Sequence, residues 1–179
     1  MTSSSNSNMS AGAEPQASRR EIVTAAVTAA VAATAASGSA QAQTPPMLRF
    51  FNPPGMSSPP TYSHVVEVNG PHRTVYLAGQ TGVDATGKVA EGFRAQATQV
   101  MENLKTALAS VGGGFEHVVK LNSYLTNIEA NGAEFREVRG SYFPNKQTLP
   151  ASTLVQVPRL ANPAFLLEIE AVAILPPKA

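Results

Sequence analysis

Few side chains in this chain can do chemistry, and their spacing limits what they do. Glu168 and Glu170 interrupt an apolar run, Phe165-Leu166-Leu167-Glu168-Ile169-Glu170-Ala171-Val172-Ala173. On a strand of period two, both carboxylates point to one face. A carboxylate held there meets solvent, accepts from a backbone partner, or enters a pocket as a proton acceptor. Ser152 follows Pro150-Ala151 at the head of a second run ending at Val157. Its hydroxyl offers a hydrogen bond but no charge. His64, His72 and His117 stand singly, and no pair has the i, i+4 spacing of a helical metal site. Neither a metal nor a cofactor is expected. Gly112-Gly113-Gly114 is not followed by the Lys-Ser/Thr of a phosphate loop. Ser123 and Ser152 lack a nucleophile-elbow pattern. With no cysteine in the chain, thiol catalysis, disulfides and thiolate metal sites are excluded.

The elements that must position these groups are readable from periodicity. Phe93, Ala97, Val100, Met101, Leu104, Leu108 and Val111 recur at three- and four-residue steps. This predicts a helix over 93–111, stopped by the glycine cluster. Tyr62–Val68 alternates, Asn69-Gly70 is a turn signal, and Thr74–Ala78 is a second strand. His117–Leu125 alternates again, Ala133–Phe143 reads as a shorter helix, and Thr153–Val157 and Ala164–Leu175 are the last strands. The order is β-β-α-β-α-β-β. An α+β fold follows, a mixed sheet with two helices packed on one face. The other face needs covering. Val155, Val157, Leu167 and Ile169 are apolar positions with few partners in such a chain, which motivates an oligomer.

With 179 residues the chain suits one folded domain, spanning 61–175, preceded by a Pro-rich extended arm over 43–60 and followed by a tail, 176–179. Residues 1–42 read differently. A Ser/Asn-rich stretch leads to Arg19-Arg20, then a weak apolar run from Val23 to Ala36, then Ala40-Gln41-Ala42. That arrangement resembles a cleaved twin-arginine export signal, leaving a chain that starts at Gln43 and is periplasmic or secreted. The run is shorter than the ~20 apolar residues of a membrane span, so no membrane partner is expected after cleavage. Formal net charge is +1 and no Lys/Arg run is present, so no nucleic-acid partner is expected.

From about Pro60 to Ala173 the chain resembles the YjgF/RidA (Rid) family. The matching pieces come in order: the Tyr62 loop, Ala78-Gly79-Gln80, the Thr86-Gly87 turn, the helix with Gln96 and Asn103-Leu104, Val118–Leu125, Tyr142-Phe143-Pro144, Pro150-Ala151 and Glu168-Ile169-Glu170-Ala171. The resemblance implies a chorismate-mutase-like Rid fold, a homotrimer, and small-molecule clefts between subunits. In deaminating members an Arg after Pro-Ala grips the substrate carboxylate, for which a planar fork is suited. The resemblance places Glu168 as the group that positions the attacking water. It places Tyr62 in the pocket wall, Ala78 where a pocket Ser is common, and Arg136 near a family Asn. Ser152 stands where the Arg would be. Arg136 and Arg159 are the cations considered as replacements. Arg159 lies seven residues past Ser152, roughly 23 Å along an extended strand and so at its far end.

The expected function is binding of a small carbonyl- or amine-containing metabolite, with hydrolysis of an imine, enamine or related C–N bond. A non-enzymatic ligand-binding or holdase-type trimer is the alternative. Deamination of 2-imino acids despite Ser152 is a further one, disfavoured because Ser152 supplies a dipole rather than a charge.

Overall fold

The computed structural model describes residues 47–178, so the export-type segment 1–42 lies outside the described residues. Strands β1 (Leu48–Phe51) and β2 (Val65–Val68) form an antiparallel pair, with Phe50 opposite Val66. There follow β3 (Arg73–Thr81), α1 (Phe93–Ser110), a single 3-10 turn (Phe115–His117), β4 (Val118–Leu125), α2 (Ile128–Tyr142), β5 (Ala151–Gln156) and β6 (Leu167–Leu175). The main sheet runs β3-β6-β4-β5. β6 is antiparallel to both β3 and β4, whereas β5 is parallel to β4. That parallel pair needs a crossover, and α2 supplies it. The fold is α+β with two helices and a mixed sheet, as the periodicity predicts.

One face of the main sheet is dry. Leu77, Leu121, Leu125, Leu167, Ile169, Ala171, Ala173 and Leu175 are buried there with the α1 stripe Phe93, Ala97, Val100, Met101, Leu104 and Leu108. α1 ends as a helix followed by glycine should. Gly112 takes φ 79°, and the Gly113 amide donates to the Leu108 carbonyl at 2.9 Å. α2 joins the same core through Phe135 and Val138. Arg94 of α1 meets Glu134 and Glu137 of α2 at 2.7 and 2.8 Å, an exposed clamp between the helices.

Buried Gln96 fixes the entry to β6. Its Nε2 donates to the Ala164 carbonyl and its Oε1 accepts from the Leu166 amide, both at 2.9 Å. The last strand therefore starts at Leu167, not at Ala164. α2 starts at Ile128 rather than Ala133, because the Asn127 side chain accepts from the Ala130 amide at 2.9 Å and caps it there. Tyr62 precedes β2 instead of opening it. Its neighbour Ser63 donates its amide to the Pro150 carbonyl at 3.2 Å. Within 43–60, Leu48–Phe51 forms a strand rather than an unpaired arm; the surrounding prolines hide its alternation. Leu167 and Ile169 are fully buried in this chain's own core, so they offer nothing to an oligomer contact. The large apolar side chains exposed on the main sheet, among the described residues, are Tyr76, 80% exposed, and Val155, 40% exposed.

Replacing Gln96 by Ala strands two backbone groups at the β5–β6 loop. The expected loss of stability is about 2 kcal/mol. It is read as a lower denaturant midpoint at unchanged m-value. A loss below about 0.5 kcal/mol, the usual surface range, contradicts the clamp.

Candidate functional site

Strand alternation divides the expected site residues between the two faces of the sheet. Tyr124 pairs in register with Glu168, and Asn122 with Glu170. These residues share the face away from the helices, so the two carboxylates do lie together. Ser152 pairs with Leu121, which is fully buried in the core. Ser152 therefore looks to the helix side. Ala78 sits on the open face with Tyr76 and Val172, along a cavity of about 530 Å³ that also touches Lys120, Asn122 and Glu170.

On that open face Glu170 is occupied. Its Oε1 accepts from Asn122 Nδ2 at 2.7 Å and from the Tyr124 hydroxyl at 3.1 Å. The carboxylate it accepts with pushes the Tyr124 phenol above its ordinary range. Lys120 Nζ is engaged by Thr153 Oγ1 at 2.7 Å. Glu168 differs. Half-buried, it makes no hydrogen bond or ion pair with another described residue. Its carboxyl group lies over Gly79, where a Cβ would come within 2.7 Å of Glu168 Cδ. Gly79 belongs to the irregular step of β3, where the register against β6 shifts between Leu77 and Gln80. A glycine at a bulge is what lets a side chain from the next strand lie flat on the backbone.

On the helix side a cavity of about 320 Å³ is lined by Tyr62, Phe135, Arg136, Arg139, Ser152 and Leu154. Three expected residues, Tyr62, Arg136 and Ser152, are thus brought together. Tyr62 is held edge-on to His64 with ring centroids 5.3 Å apart. Arg136 is exposed and pairs with no described carboxylate. Arg159 takes no part: past the end of β5 and exposed, its Nε donates to the Leu160 carbonyl at 3.3 Å.

Sequence reasoning missed Arg139. It is 5% exposed, and no carboxylate among the described residues pairs with it. Its Nη1 donates to the Thr61 carbonyl at 2.7 Å. Its guanidinium carbon lies 5.1 Å from the Phe143 ring centroid. Nε and Nη2 are buried without a partner. Burial alone lowers its pKa to about 10. The signal was there to find. Ile128, Gly132, Phe135, Val138 and Tyr142 form the inward stripe of α2, and Arg139 interrupts it.

Comparison with known proteins bears on this arrangement. Residues 56–175 match the family model described as Endoribonuclease L-PSP. A RutC family protein of Aquifex aeolicus is 37% identical over 114 residues, which are 63% of this chain and 87% of the relative. A crystal structure of a Rid-family protein of unknown function from Yersinia pestis aligns with a TM-score of 0.67 at 35% identity, over 73% of this chain and 100% of that one. The chain belongs to the YjgF/RidA family. Its Rid relatives include the 2-iminobutanoate/2-iminopropanoate deaminase of Salmonella typhimurium, 33% identical over 105 residues, which are 56% of this chain and 78% of the relative.

In this Rid chain the fit of Glu168 over Gly79 is open to test. Gly79→Ala puts a methyl group where the carboxyl group lies. The variant should lose about 1–3 kcal/mol, the usual range for overpacking. Its crystal structure should have Glu168 in a different rotamer. An unmoved Glu168 contradicts the contact.

Proposed function

We propose that this Rid protein is a homotrimer that binds a small carbonyl- or amine-containing metabolite in clefts between subunits. There it hydrolyses an imine, enamine or related C–N bond. The observation that carries this reading is the division of the candidate site. Tyr62, Ser152 and Arg136 line one face of the sheet, whereas Glu168 and Ala78 occupy the other. Two faces of one sheet never meet within a subunit. A cleft built from both needs a neighbouring copy, whose open face brings Glu168 to the Ser152 pocket. Tyr76 and Val155 give that open face exposed apolar surface of the kind an interface covers.

The chemistry asks for one proton acceptor. The unpartnered Glu168 carboxylate accepts a hydrogen bond from water and turns its lone pair toward the imine carbon. As the C–O bond forms, the water proton passes to the carboxylate. It is then delivered to nitrogen, giving a carbinolamine; the hydroxyl proton next passes by way of the same carboxylate to nitrogen, and as the C–N bond breaks ammonia leaves and the carbonyl forms. The reaction consumes one imine and one water and yields one carbonyl compound and one ammonia. The deaminase relative supports the reaction class. A binding trimer without turnover is the second reading. It is favoured by Ser152, which supplies no charge to a carboxylate, and by Ala78, which supplies no polar group.

Sedimentation of the chain from Gln43 onward should give three subunits per particle. Glu168→Gln should keep that mass and lower hydrolysis of an imine, generated in situ by an amino-acid oxidase, by a factor on the order of 10². A folded monomer overturns the shared cleft. A trimer whose turnover ignores Glu168→Gln overturns the role of Glu168. A trimer that binds ligand without turnover leaves the second reading in place of the first.

We also propose that the chain is exported already folded, through the twin-arginine route. Arg19-Arg20 ahead of the weak apolar run supports this. Replacing both by Lys should hold the precursor in the cytoplasm, followed as uncleaved protein in cell fractions. Normal export of that variant overturns the assignment.

A further inference from the structure

We infer that the corner beside the C-terminal end of α2 is a second ligand site, and that it takes a small alkylated ammonium ion. The cavity there measures about 440 Å³, within the range of small-molecule sites. It shares no lining residue with the Ser152 cavity or with the cavity on the open face. Three rings build its wall. Phe115 comes from the 3-10 turn after α1, and Tyr142 and Phe143 from the end of α2. The Phe115 centroid lies 5.3 Å from that of Tyr142 and 5.2 Å from that of Phe143, with the ring planes inclined by 59° and 72°. Phe143 is buried, whereas Phe115 and Tyr142 are half-buried and within reach of a guest. Aromatic faces carry the negative side of the ring quadrupole, and rings gathered into a corner form the cages that hold alkylated ammonium ions.

The charges at the rim decide the sign of the guest. Lys105 is already paired: its Nζ meets Glu102 at 3.3 Å, and Glu102 also accepts from the Tyr142 hydroxyl at 2.8 Å. Lys146 turns its Nζ to the Phe143 carbonyl at 3.0 Å. Glu116, an exposed carboxylate on the same rim, has no Lys or Arg partner among the described residues. His117 Nδ1 stands 3.2 Å from its Oε1. That nitrogen accepts from the Gly114 amide at 3.1 Å, so it holds a lone pair and not a proton. Two acceptors are thereby crowded together, and a nearby cation relieves their repulsion. Gly114 brings the carboxyl group to the cavity, since a Cβ there would come within 2.9 Å of Glu116 Cδ. With φ −148° its backbone is extended, so space is what the missing side chain supplies. α2 also ends at this wall, and the end of a helix favours positive charge. Aromatic rings, an unpaired carboxylate and a helix C-terminus all point to an ammonium ion. The inference goes beyond the proposed cleft and is tested by binding alone.

The full protein is titrated with choline and with 3,3-dimethylbutan-1-ol, its uncharged isostere, by NMR of the Phe115 and Tyr142 ring signals. Choline should move both sets of signals and bind about tenfold more tightly than the alcohol. Glu116→Gln should weaken choline about threefold, as the loss of an exposed ion pair does, and leave the alcohol unchanged. Gly114→Ala, which pushes the carboxyl group off the cavity, should weaken choline in the same direction. Lys105→Met removes a competing ammonium from the rim and should tighten it. Phe115→Leu should narrow the preference for choline over the alcohol. Should that ring variant fail to fold, Glu116→Gln decides, because its side chain is exposed and carries none of the packing. Equal affinity for choline and the alcohol overturns the inference. So does a preference that Glu116→Gln leaves intact, ring signals unmoved by saturating choline, or weaker binding in Lys105→Met. Choline binding without imine hydrolysis sinks only the catalytic reading. Hydrolysis without choline binding sinks only this one.

Discussion

A β-strand presents successive side chains to opposite faces, and in this protein that alternation decides both stability and site. β6 and β4 occupy the middle of the main sheet, with α1 and α2 contributing to the core on one side. Every second residue of β6 is therefore buried: Leu167, Ile169, Ala171, Ala173 and Leu175. The residues between them include Glu168 and Glu170, which the same geometry sends outward. A slip of one residue would drive two carboxylates into an apolar core. The apolar burial that holds the fold together is thus also what delivers Glu168 to the open face.

Local devices then set how Glu168 lies. Gln96 holds the approach to β6 by both of its amide ends, so the strand enters in a fixed register. Asn103 does the same after β3, donating to the Thr81 and Val83 carbonyls at 3.1 and 2.8 Å. Between these ties β3 carries its irregular step, and Gly79 leaves the space that the Glu168 carboxyl group occupies. Glu170, two residues on, is satisfied by Asn122 and Tyr124. Neighbouring carboxylates on one strand are thereby separated into one that is structurally engaged and one that is available.

The helix side poses the opposite problem. There the unusual group is a cation placed among apolar side chains. A guanidinium stripped of water without a counter-ion costs stability, as the lowered pKa of Arg139 reflects. Ser152 brings no charge to the cavity on this side; the cations that line it, Arg136 and Arg139, both stand on α2.

Much of this fold is written in near neighbours along the chain. The stripe of α1, the glycine stop after it, the alternation of β4 and the shared face of Glu168 and Glu170 follow from periodicity alone. The family is legible by resemblance instead, because its motifs keep their order. The same resemblance nominates Tyr62, Arg136 and Ser152 as pocket residues. What periodicity could not say is which face each group occupies. In β5, Leu154 and Val155 are adjacent and both apolar, so either alternate set could have faced the core. Only pairing with β4, across the α2 crossover, puts Ser152 inward and away from Glu168. The β1 strand, the contact between Gly79 and Glu168 and the burial of Arg139 were hidden for the same reason. Each rests on residues distant along the chain, whose meeting is decided by register and packing and not by the residues beside them.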